Sequence, residues 1–180
     1  MIEYYTLMHD GGQGEYRDNI FLNFSKTLTM LLLFSSKDEA FDIAHSISIN
    51  GLISSCTSMT MEELCEEFHK EITPNCAYLL LRIDDQHINL ERRGGVYAKI
   101  IKRGEVINLS NGYHSLEDGD QICCGTSEFF KYVSDPAVLA DAMTSISSEE
   151  WMDYMCTRIS DANQFEGENL SAVTMIVRED

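Results

Sequence analysis

Basic residues and prolines are scarce in this chain of 180 residues. The 13 lysines and arginines are outnumbered by 30 aspartates and glutamates, so the formal net charge is −17. This negative charge repels phosphate backbones and anionic lipids, which argues against direct binding to nucleic acid or to a membrane surface. The acidic residues either provide solubility or form a docking face for a basic partner. Only two prolines occur and 44% of the residues are hydrophobic, which is typical of an ordinary globular protein.

Long apolar runs and paired cysteine motifs are also missing. The longest continuous apolar stretch, from Met30 to Phe34, is too short to span a bilayer. The N-terminus has no basic region followed by an apolar run, so no signal peptide is expected. The six cysteines include no CxxC pair and no Cys/His spacing typical of a zinc site. We therefore expect reduced core cysteines in a cytoplasmic protein.

A glycine-rich bend near the N-terminus precedes the first residue with a predicted chemical role. The bend Gly11–Gly14 leads to Asp18, and the apolar residues from Ile20 to Phe24 predict a strand. Asp18 is therefore expected at the mouth of a strand. A carboxylate there is a good oxygen ligand for Mg²⁺ or Mn²⁺ if other carboxylates converge on it. The alternative is a turn aspartate that bonds its own backbone.

The hydrophobic pattern predicts groups of strands alternating with helices. Strands are expected at Ile2–Met8, Ile20–Phe24, Thr27–Phe34, Ala77–Ile83, His87–Arg92, Val96–Lys102, Val106–Leu109, Gln121–Cys124 and Ser171–Val177. Short turn-forming links join the four strands between Ala77 and Leu109, which favours a consecutive antiparallel meander. The last strand is apolar at nearly every position, so we expect it to be central. Residues 1–180 are thus predicted to form one α+β domain. Its architecture is expected to be a four-layer αββα sandwich, two stacked antiparallel sheets flanked by helix pairs.

Four helices are expected between these strands. The first starts near Asp38, with Ile47 among its buried residues, and the second follows a capping box at Thr60 and Glu63. The third is predicted to have Asp135 as its N-cap, and the fourth to start at Ser148. The apolar spacing predicts that the third and fourth helices bury Val138, Leu139, Ala142, Met143, Ile146, Trp151, Met152, Met155 and Ile159.

Several segments together resemble the metal-dependent Ser/Thr protein phosphatases of type 2C, the PPM family. The run from Asp18 to Asn23 is similar to the family's opening Asn-Glu-Asp-Asn-Phe motif, whose aspartate is a metal ligand. The segment from Gly94 to Glu105 resembles the Gly-Asp-Ser strand and its hairpin, and Gly125-Thr126-Ser127 stands where the family has Ser-Asp-Gly. Glu168-Asn169 resembles the final Asp-Asn motif. The matches occur in the family's order along nearly the whole chain.

The departures from the family pattern fall where its metal ligands would be. The family's Asp-Gly-x-Gly-Gly motif should fall near Leu33–Lys37, which contains neither a carboxylate nor a glycine. Gly95 stands for the aspartate of Gly-Asp-Ser, and Thr126 replaces another anionic ligand with a hydroxyl. Asp18 and Glu168 are the residual candidate metal ligands, and Glu168 is otherwise part of a polar loop. Asp10 and Asp161 are further acids that the fold could bring close.

The resemblance and these departures together imply a pseudophosphatase, a phosphatase-like protein without catalysis that binds or regulates another protein. A phosphoprotein or kinase-linked component is the expected partner, and no cofactor is expected. The alternatives are a divergent phosphatase using Mg²⁺ or Mn²⁺, and a structural subunit of a larger assembly. Arg17 is either a phosphate contact or half of a surface ion pair. The five histidines form no recognisable Ser/His/Asp or Cys/His set, so no catalytic residue is assigned.

Overall fold

The computed structural model describes residues 1–24, 28–34, 43–72, 74–84 and 86–178. Side chains are described for all of these except residues 28–34 and 43–46. The chain divides into two compact units that alternate along the sequence. The first unit comprises Met1–Tyr16, Tyr97–Leu109 and Leu116–Asp180, and the second comprises Arg17–Val96 and Ser110–Ser115.

Ten strands and five α-helices are assigned within the described residues. The strands are β1 (Ile2–His9), β2 (Asp18–Phe24), β3 (Leu28–Phe34), β4 (Ala77–Ile83), β5 (His87–Arg93), β6 (Val96–Lys102), β7 (Glu105–Asn108), β8 (Gly112–Ser115), β9 (Gln121–Thr126) and β10 (Leu170–Val177). The helices are α1 (Ile43–Ser55), α2 (Met61–Glu71), α3 (Ser127–Tyr132), α4 (Asp135–Thr144) and α5 (Ser148–Asn163). A short 3₁₀ helix, Cys56–Ser58, links α1 to the segment before α2.

The first unit contains a five-stranded sheet in the order β1-β10-β9-β6-β7. Strand β10 runs antiparallel to both β1 and β9. It is buried at every position except its last, which confirms the prediction of a central strand. Helices α3, α4 and α5 pack on this sheet through a core that contains Phe129, Val138, Trp151, Met152, Met155 and Ile159.

The second unit contains the other five-stranded sheet, in the order β2-β3-β4-β5-β8. All of its strand pairs run antiparallel. Helices α1 and α2 supply a core with the strand residues Tyr78 and Leu80, and this core includes Ile49, Ile53, Leu64 and Phe68. The α+β class with two antiparallel sheets and helices is therefore confirmed.

Capping explains where helix α2 begins. The Thr60 side chain accepts a hydrogen bond from the backbone N–H of Glu63, whose carboxylate accepts one from the N–H of Thr60. This reciprocal arrangement is the predicted capping box. The predicted cap of α4 is wrong, because Ser134 is the N-cap and Asp135 is the first helical residue. Asp135 instead pairs with Lys99 of β6.

The predicted four-strand meander is also wrong. Strands β4 and β5 pair with each other in the second unit, whereas β6 and β7 pair in the first. The Gly94-Gly95 link is therefore not a hairpin turn. Strand β8 and helix α3 were not predicted, because four and six residues are too short to show a clear hydrophobic period.

Some residues predicted to be buried are exposed. Ile47 of α1 is 68% exposed, Met143 of α4 is 67% exposed and Ile146 is 81% exposed. Ile146 follows the end of α4 at Thr144, so helical spacing no longer governs its direction. The predicted start of α1 at Asp38 and residues 35–37 of the phosphatase-motif position Leu33–Lys37 lie outside the described residues.

The cysteines are all unbridged, and burial raises the pKa of the thiols in three of them that are considered next. Burial raises the pKa of Cys123 to about 12. It raises the pKa of Cys65 and that of Cys156 to about 11. A thiolate is the reactive form of cysteine, so these side chains act as small apolar core residues.

We expect the buried thiol of Cys123 to contribute to alkaline destabilisation. Its folded pKa lies above its unfolded value, so its stabilising effect is complete below the unfolded pKa and is lost as pH rises from about 8.5. In Cys123→Ala, the slope of the unfolding free energy against pH between about 8.5 and 10 should be shallower, by up to about 1.4 kcal/mol per pH unit. Urea titrations at several pH values measure the slope.

Val173→Ala is the matched control, because Val173 is also buried in this sheet. The substitution removes packing atoms without removing a titratable group. It should lower stability equally at all of these pH values. An unchanged slope in Cys123→Ala would contradict the prediction.

Candidate functional site

The turn after β1 is built around the Asp10 side chain. One carboxylate oxygen accepts a hydrogen bond from the N–H of Gly12 and the other accepts one from the N–H of Gly14, both at 2.9 Å. The hydrogen bond from Gly12 is the main cause that lowers the pKa of Asp10. Both oxygens therefore close the turn, and the turn is exposed.

A second loop, which carries Glu168, packs against this turn in the first unit. The N–H of Gly167 donates to the carbonyl of Gly11 at 2.9 Å, and the side chain of Gln13 donates to the carbonyl of Gly167 at 2.7 Å. The side-chain amide of buried Asn169 donates to the carbonyl of Asp10 at 3.1 Å. The structure thus brings together the loops of two candidate acids, Asp10 and Glu168.

Gly11 is required where these loops meet. Its φ of +65° lies in the left-handed region, and a Cβ added there would lie 2.4 Å from the carbonyl oxygen of Gly167. Backbone atoms cannot move away from such a contact as a flexible side chain can. The sequence signal for this contact was the glycine-rich bend, but nothing in the sequence indicated its partner loop.

Thr126 lies where the resemblance places a metal-binding aspartate, and its hydroxyl has a structural role. It is fully buried and is the N-cap of α3. The hydroxyl oxygen accepts hydrogen bonds from the N–H of Phe129 at 3.5 Å and from the N–H of Ser171, on β10, at 3.3 Å. This position joins a helix terminus to the central strand.

Arg17 and Asp18 lie in the second unit. Asp18 is the first residue of β2, opposite Phe34 of β3, and is only 1% exposed. It therefore lies on a strand, where the sequence had left a turn as the alternative. Arg17, directly before it, is half-buried. Their predicted roles as metal ligand and phosphate contact stay predictions.

The donors in the described part of the chain do not fit a two-metal centre. Within residues 1–24, 28–34, 43–72, 74–84 and 86–178, no group of three or more His, Cys, Asp or Glu side chains could hold a metal ion. Asp161, another candidate acid, is exposed on α5. Gly95, at the family's aspartate position, has no side chain to offer.

Comparisons with known proteins identify the fold. No family model matches the chain, and no curated protein matches it by sequence. Among solved structures, the S. agalactiae serine/threonine phosphatase has a TM-score of 0.74 at 12% identity, with 99% of this chain and 100% of that chain covered. The Mycobacterium tuberculosis serine/threonine phosphatase PstP/Ppp has a TM-score of 0.76 at 9% identity, with 99% of each chain covered.

A third similar structure contains the PP2C phosphatase domain of SpoIIE from Bacillus subtilis and a fragment of its regulatory domain. Its TM-score is 0.78 at 10% identity, and the match covers 100% of this chain and 64% of that chain. Identities this low establish the fold alone. None of the helices in the described ranges combines the length and apolar character needed to cross a membrane.

We expect Gly11→Ala to destabilise the first unit by about 1–3 kcal/mol, because the methyl group meets the Gly167 carbonyl and φ is positive. Chemical denaturation measures the loss.

Gly12→Ala is the matched control. Gly12 also has a positive φ, +78°, but a Cβ there would meet nothing within 4 Å. Its cost should be limited to the backbone strain, about 1 kcal/mol. Equal losses in the two variants would show that the contact between the loops is unimportant.

Proposed function

Starting from the fold of the PPM-type Ser/Thr phosphatases, we propose that residues 1–180 form one phosphatase-like domain without the two-metal centre, which acts as a protein-binding or regulatory module. The near-complete coverage of the S. agalactiae and M. tuberculosis phosphatase structures supports a single domain. The observation that carries the loss of the metal centre is the structural use of Thr126.

A two-metal hydrolase needs several carboxylates, since four positive charges must be offset near the bound water. At the position that resembles the Ser-Asp-Gly motif, this chain has a neutral hydroxyl that caps α3 and binds the N–H of Ser171. An aspartate there would bring a charge into a fully buried position. The local packing is therefore adapted to a residue that is not an anionic ligand.

Other motif positions support the same conclusion. Gly95 has no donor atom, and the acid in the final motif is Glu168, one methylene longer than aspartate. The Asp10 carboxylate accepts two backbone N–H groups in its own turn. Asp18, in the second unit, and Glu168, in the first, are then the residual candidate ligands.

A protein is the proposed partner. One similar structure contains a phosphatase domain with part of a regulatory domain, and another is described as belonging to the bacterial stressosome. By analogy, we propose a phosphoprotein or a kinase-linked component as the partner, with Arg17 as the candidate phosphate contact. A structural role within a larger assembly is a second possibility that the same analogy supports.

The alternative is a divergent phosphatase that uses Mg²⁺ or Mn²⁺. The observation in its favour is the position of Asp18, a buried carboxylate at the start of β2, because carboxylate oxygens are the ligands that these ions prefer. Similar structures include PstP with two manganese ions and RsbX with magnesium. Measurements of metal binding and of phosphate hydrolysis distinguish the module without a metal centre from the divergent phosphatase.

We expect calorimetric titration of the whole chain with MnCl₂ to give no binding tighter than about 1 mM. The physical reason is the shortage of anionic donors at the motif positions. A type 2C phosphatase titrated in the same buffer is the positive control. Micromolar binding of two ions would contradict the proposal.

Hydrolysis of an aryl phosphate with Mn²⁺ should not exceed the rate without protein. The variants Asp18→Ala and Glu62→Ala are compared with the natural sequence, Glu62 being an exposed acid on α2 in the same unit as Asp18. Turnover that requires Mn²⁺, disappears in Asp18→Ala and persists in Glu62→Ala would establish the active alternative.

A further inference from the structure

Two large apolar side chains at the end of α4 are exposed although the sequence pattern predicts them to be buried. Met143 is 67% exposed and Ile146 is 81% exposed. The core face of α4 is supplied by Val138 and Ala142, so the packing of this helix does not use either residue. Single exposed apolar residues are common, whereas several of them close together on a surface are typical of a binding site.

The patch is held in place by Glu150 on the first turn of α5. One carboxylate oxygen of Glu150 accepts a hydrogen bond from the N–H of Ile146 at 2.8 Å. The other accepts one from the hydroxyl of Tyr154 at 2.9 Å, and Tyr154 is itself exposed. We call Met143, Ile146, Glu150 and Tyr154 the α4–α5 surface.

The backbone of Ile146 is also fixed from its other side. The guanidinium of Arg178 donates to the Ile146 carbonyl at 2.7 Å and to the Glu3 carboxylate at 3.0 Å. Both backbone groups of this exposed residue are therefore hydrogen-bonded. A preformed surface loses little conformational entropy when a partner binds, so more of the contact energy appears as affinity.

Acidic side chains lie next to the α4–α5 surface on α5, and the nearby guanidinium of Arg178 is paired with Glu3. Glu149 and Asp153 are exposed next to it on α5. Within the described chain no lysine or arginine pairs with Glu149, Glu150 or Asp153, while Arg158 is occupied by both oxygens of Asp141 at 2.6 Å. The hydrogen bond from the Ile146 N–H is the main cause that lowers the pKa of Glu150, so its carboxylate is charged at neutral pH.

We propose that the α4–α5 surface binds a basic, amphipathic helical segment of a partner protein. Apolar residues on one face of that segment contact Met143, Ile146 and the ring of Tyr154, and its lysines or arginines pair with Glu149, Glu150 and Asp153.

Charge decides between this occupant and the others. A second copy of the chain carries the same net charge of −17 and is repelled, as are nucleic acids and anionic lipids. A basic amphipathic segment gains both the apolar contacts and the charge pairing. None of these residues belongs to the segments that match phosphatase motifs, so the proposal stands whether or not the chain binds metal ions.

The test uses the whole chain and a synthetic helical peptide of leucine and lysine, about four turns long, with leucine on one face only. The backbone amide resonances of the protein should shift at residues 141–154 when the peptide is added. Peptides with glutamate in place of lysine, or with the same residues in scrambled order, should bind at least about tenfold more weakly. Affinity should fall as salt is raised, because exposed ion pairs are screened.

Matched variants locate the contact. Ile146→Ser should weaken peptide binding about tenfold, whereas Tyr113→Ser, at a residue 76% exposed in the second unit, should leave it unchanged. Glu149→Gln with Asp153→Asn should weaken binding about fivefold. The same neutralisation at Glu62 and Glu66 on α2, where the large apolar residues are buried, should have no comparable effect.

Three results would overturn the proposal. They are resonance shifts spread evenly over the acidic surface, equal losses in the test and control variants, and equal binding of the scrambled peptide. Concentration-dependent self-association lost in Ile146→Ser would assign the surface to a second copy instead. Because the resonance map uses the natural sequence, it holds even if a variant folds poorly.

Discussion

The burial of β10 is the constraint on which the first unit depends. Seven of its eight residues are buried, and it lies between β1 and β9 with antiparallel pairing on both sides. The loop before it bonds to the turn after β1, and the N–H of Ser171 bonds to Thr126. Thr126 and the loop that carries Glu168, two positions that resemble phosphatase motifs, therefore also make hydrogen bonds that hold this strand or the loop before it.

This double role is consistent with our proposal that the fold is kept without the metal ligands. Strand pairing and apolar packing provide most of the stability, and a metal centre is a separate set of side chains placed on that scaffold. The neutral hydroxyl of Thr126 satisfies two backbone N–H groups without placing a charge in the interior.

Local chemistry was predictable wherever neighbouring residues decide it. The capping box of α2 depends on Thr60 and Glu63 alone, and the bounds of β4 and β6 follow from apolar runs between turn residues. The short elements β8 and α3 escaped prediction because they contain too few residues for a period. The exposure of Ile146 escaped it because α4 ends at Thr144, two residues before the spacing pattern does.

The amino-acid sequence alone was enough to indicate the phosphatase-like order of motifs, the missing acids and the strong negative charge, since these depend only on residue identity and spacing. Strand partnership needed the folded chain. Hydrogen bonds join residues far apart in sequence, as between Gly11 and Gly167. The sequence also did not show that β6 pairs with β7 and not with β5. Hydrogen-bond partners and exposure likewise depend on which distant segments meet, and for that reason the role of Thr126 and the α4–α5 surface became visible only in three dimensions.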